Sequence, residues 1–394
     1  MRWPGRFTWA IGIAALATPT ALAQPTFDPL SGLEFIRITH PNNPAYSGFD
    51  PFGYTTGRGS VGYEYFMART EVSTGQWLEF FNTFLTREQQ VPWLRAPLDW
   101  GAEVDPTYTG PGTRHRLRSI PDAANVGAYA VTWRTAAMYC NWLHNGKGSD
   151  LASIQSGAYD VSSFTNLPDG QWTDQLTRSA GARYWIPSLD EWLKAAHWDP
   201  SNPSNNGWWT YANGSESPAT YGPPPSFGGD GTGQANAGFS LPNFAHYDIP
   251  LGSYPLTPSI WGLQDLMGMG NELTEGVLHI NNQMFRATRG SSAGGVASDR
   301  VTSVGSVFPY SQAGDFNLRI ASVVPCPSSG VLVFGSLCVF LGATRKRRTS
   351  HAVQHHSSDA DGGGAQFLLV LRARSHRPSR SRRARSVATQ TAGR

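Results

Sequence analysis

Three apolar stripes at helical spacing carry nearly all the periodicity of a body of about 300 residues, and that scarcity constrains the fold more than any other feature of the chain. In the first, Ser73 or Thr74 caps a helix whose Trp77, Phe80, Phe81, Phe84 and Leu85 recur at i, i+3, i+4, i+7 and i+8, one apolar face. The second spans residues 132–144, with Ala136, Ala137, Cys140 and Leu143 on one face and Gly146 just past its end. The third opens on Ser188-Leu189-Asp190-Glu191, a capping box in which the serine and the glutamate satisfy free amides reciprocally. Leu189, Trp192, Leu193 and Ala196 form its buried stripe. All three stripes read as core faces rather than cofactor contacts. The rest is loop, turn and short strand. Residues 63–67 and 316–324 have strand-like content. Residues 202–254 are rich in Gly, Pro, Asn and Ser, and Trp208, Trp209, Tyr211, Phe239 and Phe244 are expected to pin them. With 43 glycines, 28 prolines and 12% aromatic residues, the composition fits an irregular, turn-heavy globular domain over 27–324.

The net charge of +3 points toward nucleic acid only until it is divided along the chain. Residues 345–394 hold 12 Lys/Arg and 2 Asp/Glu, a surplus of +10, whereas residues 24–344 hold 17 and 26, a deficit of −9. An acidic body is a poor phosphate binder, so nucleic acid is excluded as a partner. Residues 1–23 read as a secretory signal, with Arg2 and Arg6 before an apolar run at 9–16 and Ala21-Leu22-Ala23 at the cleavage site. The chain is therefore expected to be exported. Its body keeps one cysteine, Cys140, too few for an internal disulfide framework.

At the other end, Val324-Pro325-Cys326-Pro327 precedes a 14-residue uncharged stretch, 330–343, and then Arg345-Lys346-Arg347-Arg348. This order resembles the PEP-CTERM sorting signal of bacterial exported proteins, with Cys326 in place of that signal's central glutamate. The resemblance implies a short membrane-associated helix over 325–348, with the body outside and the basic cluster inside, and hence a secreted or surface-anchored protein. Residues 349–394, with Gly362-Gly363-Gly364 and an Arg/Ser-rich run, are expected to form a disordered basic tail.

The body resembles the formylglycine-generating enzyme, or sulfatase-modifying factor, family through seven segments in the family's order. They are Glu71-Val72-Ser73-Thr74-Gly75-Gln76-Trp77, Val131-Thr132-Trp133 to Tyr139-Cys140-Asn141-Trp142, Tyr184-Trp185-Ile186-Pro187-Ser188-Leu189-Asp190-Glu191-Trp192, Pro250-Leu251-Gly252-Ser253-Tyr254, Gly262-Leu263-Gln264-Asp265-Leu266-Met267-Gly268, Arg289-Gly290-Ser291-Ser292, and Asn317-Leu318-Arg319-Ile320-Ala321. The resemblance implies that family's C-type-lectin-like α+β fold, with little regular secondary structure. The family's oxidases bind copper through two thiolates after the R-G-G-S segment, because thiolate suits Cu(I). The equivalent positions here are Gly295 and Arg300, and no cysteine lies between Cys140 and Cys326, so no copper is expected. Ser292 matches the family's active-site serine. The body histidines, His40, His115, His144, His197, His246 and His279, lack the clustered spacing of the iron-dependent relatives.

A calcium site of the family does carry over. Asp265 and Glu272 supply side chains, and Gly268 and Gly270 supply carbonyls, the hard oxygen donors that Ca²⁺ takes. A second family calcium begins at an Ala-Asn pair, matched here by Ala235-Asn236 with Ala237, and Asp248 is the candidate for its acidic partner. No catalytic residue follows from the resemblance. The function it implies is a non-catalytic, surface-associated module that binds an extracellular glycan, peptide or surface protein. The alternative is an oxidoreductase of the same fold using a different metal or cofactor.

Overall fold

A computed structural model describes residues 24–323 apart from 88–89, 296–298 and 313. The signal at 1–23, the sorting-like segment at 325–348 and the tail at 349–394 lie outside the described residues. Four helices form: α1 (Thr74–Thr83), α2 (Trp133–His144), α3 (Ala152–Gln155) and α4 (Leu189–His197). Eleven short strands join them: β1 (Thr26–Asp28), β2 (Leu33–Ile38), β3 (Tyr65–Ala68), β4 (Ala102–Val104), β5 (His115–Leu117), β6 (Tyr184–Trp185), β7 (Asn271–Ile280), β8 (Gln283–Arg289), β9 (Gly305–Val307), β10 (Phe316–Asn317) and β11 (Ala321–Ser322). One sheet runs β1-β2-β3-β11-β6, a second β10-β7-β8-β9, and β4 pairs with β5. Among the described strands, β10 pairs with β7 in parallel and the other pairings are antiparallel. This is the mixed, loop-dominated α+β architecture expected from the sequence.

The three expected helices begin at their expected caps. Gln76 Oε1 accepts from the Ser73 amide at 2.8 Å, Thr132 Oγ1 accepts from the Thr135 amide at 3.0 Å, and Ser188 Oγ accepts from the Glu191 amide at 3.1 Å. Their apolar stripes meet in one aromatic core. Trp77 of α1 lies 4.5 Å from Tyr139 of α2, and Phe80 lies 5.3 Å from Trp142. Two details differ from the sequence reading. Helix α2 is buried from Trp133 through Leu143 on every side rather than along one face, because it threads the centre of the domain. Leu85 falls beyond the end of α1.

The strand-like run at 316–324 divides between the two sheets. β10 lies beside β7, and β11 lies between β3 and β6. The link, Leu318–Ile320, is buried and carries Arg319 into the space between the sheets. In residues 202–254, Trp208 and Tyr211 are buried as expected, whereas Phe244 is 72% exposed and pins nothing. Its backbone adopts a left-handed φ of 57°, and its ring meets only the edge of His246 at 6.1 Å among the ring contacts of the described residues.

The largest element absent from the sequence reading is the β7–β8 hairpin. Its two-residue loop, Asn281-Asn282, has φ of 51° and 64°, the signature of a type I′ turn. The hairpin supplies the turn at its start and the loop after its end, which together form the candidate site.

Candidate functional site

The turn before β7 is built from left-handed backbone. Asp265, Gly268 and Met269 all have positive φ, at 61°, 81° and 60°. A β-carbon at Gly268 would stand 2.6 Å from the Asn236 carbonyl oxygen, so only glycine fits there. Met269 in turn donates its amide to that carbonyl at 3.1 Å. The predicted ligands Asp265, Gly268 and Gly270 therefore share one turn with Glu272 at the start of β7, and Asn236 and Ala237 are held against it by the bridge from Asn236 to Gly268.

Beneath the turn, three carboxylates face one guanidinium. Glu272 is occupied: Oε1 accepts from Arg319 Nη2 at 2.7 Å, and Oε2 accepts from Arg319 Nε at 2.9 Å and Trp192 Nε1 at 2.6 Å. Glu71 Oε2 lies 3.5 Å from Arg319 Nη2 without a hydrogen bond, while Oε1 accepts from Asn317 Nδ2 at 3.1 Å. Asp265 Oδ2 accepts from the Gly252 amide at 2.6 Å. Asp265 Oδ1, Glu71 Oε2, Asn317 Oδ1 and Asn236 Oδ1 are buried oxygens without a hydrogen-bond partner. One guanidinium cannot neutralise three buried carboxylates. Burial pushes Asp265 up to about 6, and burial raises Glu71 well above the carboxylate range, against the pull of Arg319.

The donor chemistry fits a hard cation in part. Asp265, Glu71 and Asn317 each keep a spare buried oxygen, and Asn317 lies against Gly270, whose missing β-carbon would stand 2.5 Å from Asn317 Nδ2. Glu272 does not fit as it stands, because Arg319 and Trp192 already hold it. Among the described residues, no three His, Cys, Asp or Glu side chains converge as a ready metal cluster. The expected second site is less complete. Asn236 Nδ2 donates to the His246 carbonyl at 2.8 Å, and Asp248 is taken by Arg118 at 2.6 and 3.3 Å. Glu71, Asn317 and Arg319 are the residues that sequence reasoning missed at this centre.

The loop after β8 holds Gly295 and Arg300, the positions expected to match the family's thiolates. Ser292 is nearly buried, and a β-carbon on Gly295 would collide with its Oγ. A side chain at that position would have to turn the Ser292 hydroxyl aside. Arg300 is exposed, bridged to Tyr211, with its guanidinium carbon 5.9 Å from the Tyr211 ring. Arg289 fixes this loop from inside, donating to the carbonyls of Ser303 and, at 3.3 Å, Arg300. Cys140 is far from this chemistry in kind: it is buried in α2, where burial pushes its thiol well up and keeps it protonated.

Comparison with known proteins places these observations. The model of the sulfatase-modifying factor enzyme 1-like domain matches residues 58–323. Three solved structures are similar to the chain. The crystal structure of CarF is 15% identical with a TM-score of 0.45, covering 75% of this chain and 99% of CarF. PvdO from Pseudomonas aeruginosa is 13% identical with a TM-score of 0.43, covering 77% and 100%. Treponema denticola variable protein 1 is 16% identical with a TM-score of 0.41, covering 77% and 100%. No curated protein matches the chain.

Proposed function

The chain belongs to the sulfatase-modifying factor enzyme 1-like domain family, and from that membership we propose a non-catalytic member: an exported, surface-associated module that binds an extracellular ligand. One observation carries the reading. At the two positions expected to match the copper-binding thiolates, this chain has Gly295 and Arg300, neither of which supplies a thiolate. A guanidinium beside a copper site would repel the metal that the chemistry needs.

The same architecture suits binding. A domain with an all-round buried central helix and two sheets is a rigid support, and its long loops supply a surface free to vary. Calcium fits this role as a structural ion at Asp265, Glu71 and the Gly268–Gly270 turn, where it would neutralise buried carboxylate charge. Export and surface attachment rest on the sequence at 1–23 and 325–348.

Metal analysis and oxygen uptake test the proposal. The purified protein should carry calcium without stoichiometric copper or iron, and should consume no oxygen with a cysteine-containing peptide, before or after incubation with copper. Stoichiometric copper with peptide-dependent oxygen uptake would overturn the non-catalytic reading.

A further inference from the structure

One cavity, beside the end of β11, takes no part in the site described above. β11 lies between β3 and β6 and stops at Ser322, which stands opposite Phe66 on one side and Tyr184 on the other. Two more residues in the same register would set position 324 opposite Glu64 and Ala182, and position 325 opposite Tyr63 and Gly181. Those four residues, with Arg178 and Val323, line the cavity, whose volume is about 590 Å³. The cavity thus continues the lane of β11 between its two flanking chains.

The lane has firm walls. The Tyr63 hydroxyl accepts from Arg178 Nη2 at 2.8 Å and donates to Glu191 Oε1 at 2.9 Å. Arg178 also pairs with Glu275 at 3.2 Å, and its guanidinium carbon lies 4.1 Å from the Trp185 ring. On the opposite wall, Gly181 has no atom within 4 Å of the β-carbon it lacks, so it faces open space. Val323 sits at a bend on the rim, its amide reaching the Arg183 carbonyl at 3.4 Å. It is 51% exposed and Tyr63 is 46% exposed, which leaves apolar surface uncovered where the chain departs from the sheet.

The sequence supplies an occupant suited to those walls. Strand-like content runs through Val324, two residues past the end of β11, and Val324-Pro325-Cys326-Pro327 carries no charge. Proline has no amide hydrogen, so at 325 it requires no ladder bond, and aromatic-lined grooves are what proline-rich segments dock into. Charge selects in the same sense. Glu64, Glu191 and Glu275 gather around Arg178, so an acidic segment would be repelled. Tethered at Val323, this segment meets the lane at an effective concentration that no free peptide matches.

We propose that Val324-Pro325-Cys326-Pro327 seats in the lane between Tyr63 and the 178–182 loop, as an intramolecular strap. The inference goes beyond the binding-module reading and does not depend on it. The seated strap covers the first residues of the sorting-like segment and fixes where the chain leaves the body, so anything that acts on those prolines must first lift them out.

Cys326 reports on the strap, because a seated thiol is shielded from reagent. In the full chain, iodoacetamide labelling read by peptide mass spectrometry should modify Cys326 about tenfold more slowly in buffer than in urea. Ala180→Trp sets an indole into the lane from its exposed rim, and Pro325→Asp brings a carboxylate toward Glu64 and Glu275. Each should raise the rate in buffer several-fold, with the melting temperature unchanged. A second measurement is direct. With Cys326→Ser and Cys338→Ser in the background, Glu64→Cys combined with Val324→Cys should form a disulfide on mild oxidation, because opposed strand residues have the spacing that a disulfide needs. Glu34→Cys combined with Val324→Cys should not. Labelling of Cys326 as fast in buffer as in urea, indifference to both variants, or a disulfide yield no higher with Glu64→Cys than with Glu34→Cys would each overturn the inference. Those outcomes leave the non-catalytic reading standing, which only copper-dependent oxygen uptake removes.

Discussion

Asp265 and Glu272 sit in one turn and are both buried acids, yet they occupy opposite states. Glu272 has both oxygens bonded, to Arg319 and Trp192, whereas Asp265 keeps Oδ1 unpartnered. Their substitutions should therefore differ in kind. Glu272→Ala removes the two-point partner of the fully buried Arg319, leaving it Glu71 at 3.5 Å and backbone carbonyls, and should cost about 3 kcal/mol with or without calcium. Asp265→Asn removes a buried charge that the Gly252 amide and the shared Arg319 offset only in part. In chelator its melting temperature should equal or exceed that of the wild type, while the rise that calcium gives the wild type should largely vanish. Thermal melts of both variants with calcium and with chelator check this. A full calcium response in Asp265→Asn would remove this residue from the calcium site. The sequence made Asp265, Gly268, Gly270 and Glu272 legible because they are contiguous and resemble a family turn. Glu71 and Asn317 were not, because only folding brings α1's approach and β10 against that turn. That Arg319 claims Glu272 was equally hidden, since pairing across sheets leaves no local pattern.

Elements were legible where a cap and a stripe coincide. Ser188 with Glu191 marked α4 because the capping box is a local hydrogen-bonding device, and the structure uses it as read. The same glutamate also accepts from Tyr63, Trp185 and Arg178, which no local rule announces. The β7–β8 hairpin escaped because its strands mix polar and apolar residues without alternation, and β7 is buried nearly throughout. One signal was present: Asn281-Asn282, two residues that tolerate left-handed backbone, between apolar runs. Asn282→Gly should be neutral or slightly stabilising, whereas Asn282→Val should cost about 1–2 kcal/mol, because a β-branched residue at φ 64° is strained. A second test lies at the bulge between Leu273 and Val277. A β-carbon on Gly276 would stand 3.0 Å from both Ala287 Cβ and Leu189 Cβ, so Gly276→Ala presses β7 against β8 and α4 at once. It should destabilise by about 1–3 kcal/mol in chemical denaturation. Stability unchanged within about 0.5 kcal/mol would mean that the bulge yields freely.

Over the whole domain, buried titratable groups pull stability in opposite directions with pH. Glu275 lies among Tyr159, Arg178 and Glu191, and burial, followed by the charge of Glu191, raises it to about 7. The folded chain holds this proton more tightly than the unfolded chain, whose glutamate titrates near 4.5. Its stabilisation is thus complete below about 4.5 and is lost as pH rises through 7, on the order of 2–3 kcal/mol in all. Asp265, at about 6, acts in the same sense. His197 opposes them. Burial and Arg289 hold it well below 6.5, so it stays neutral when folded and takes a proton when unfolded, and stability falls as pH drops below about 6.5. Burial lowers His115 and His144 as well. In chelator the melting temperature should therefore rise from pH 8 to a maximum near 6–6.5 and then decline. An ion at the proposed calcium site would change one side of this balance only. It would replace the proton on Asp265 and Glu71, so millimolar calcium should raise the melting temperature by several degrees at pH 7.5, little at pH 5, and move the maximum upward. A calcium response that is flat across pH would separate the ion from these carboxylates. A melting temperature that falls steadily from pH 8 to 6 in chelator would mean that the histidines, not the acids, govern the domain.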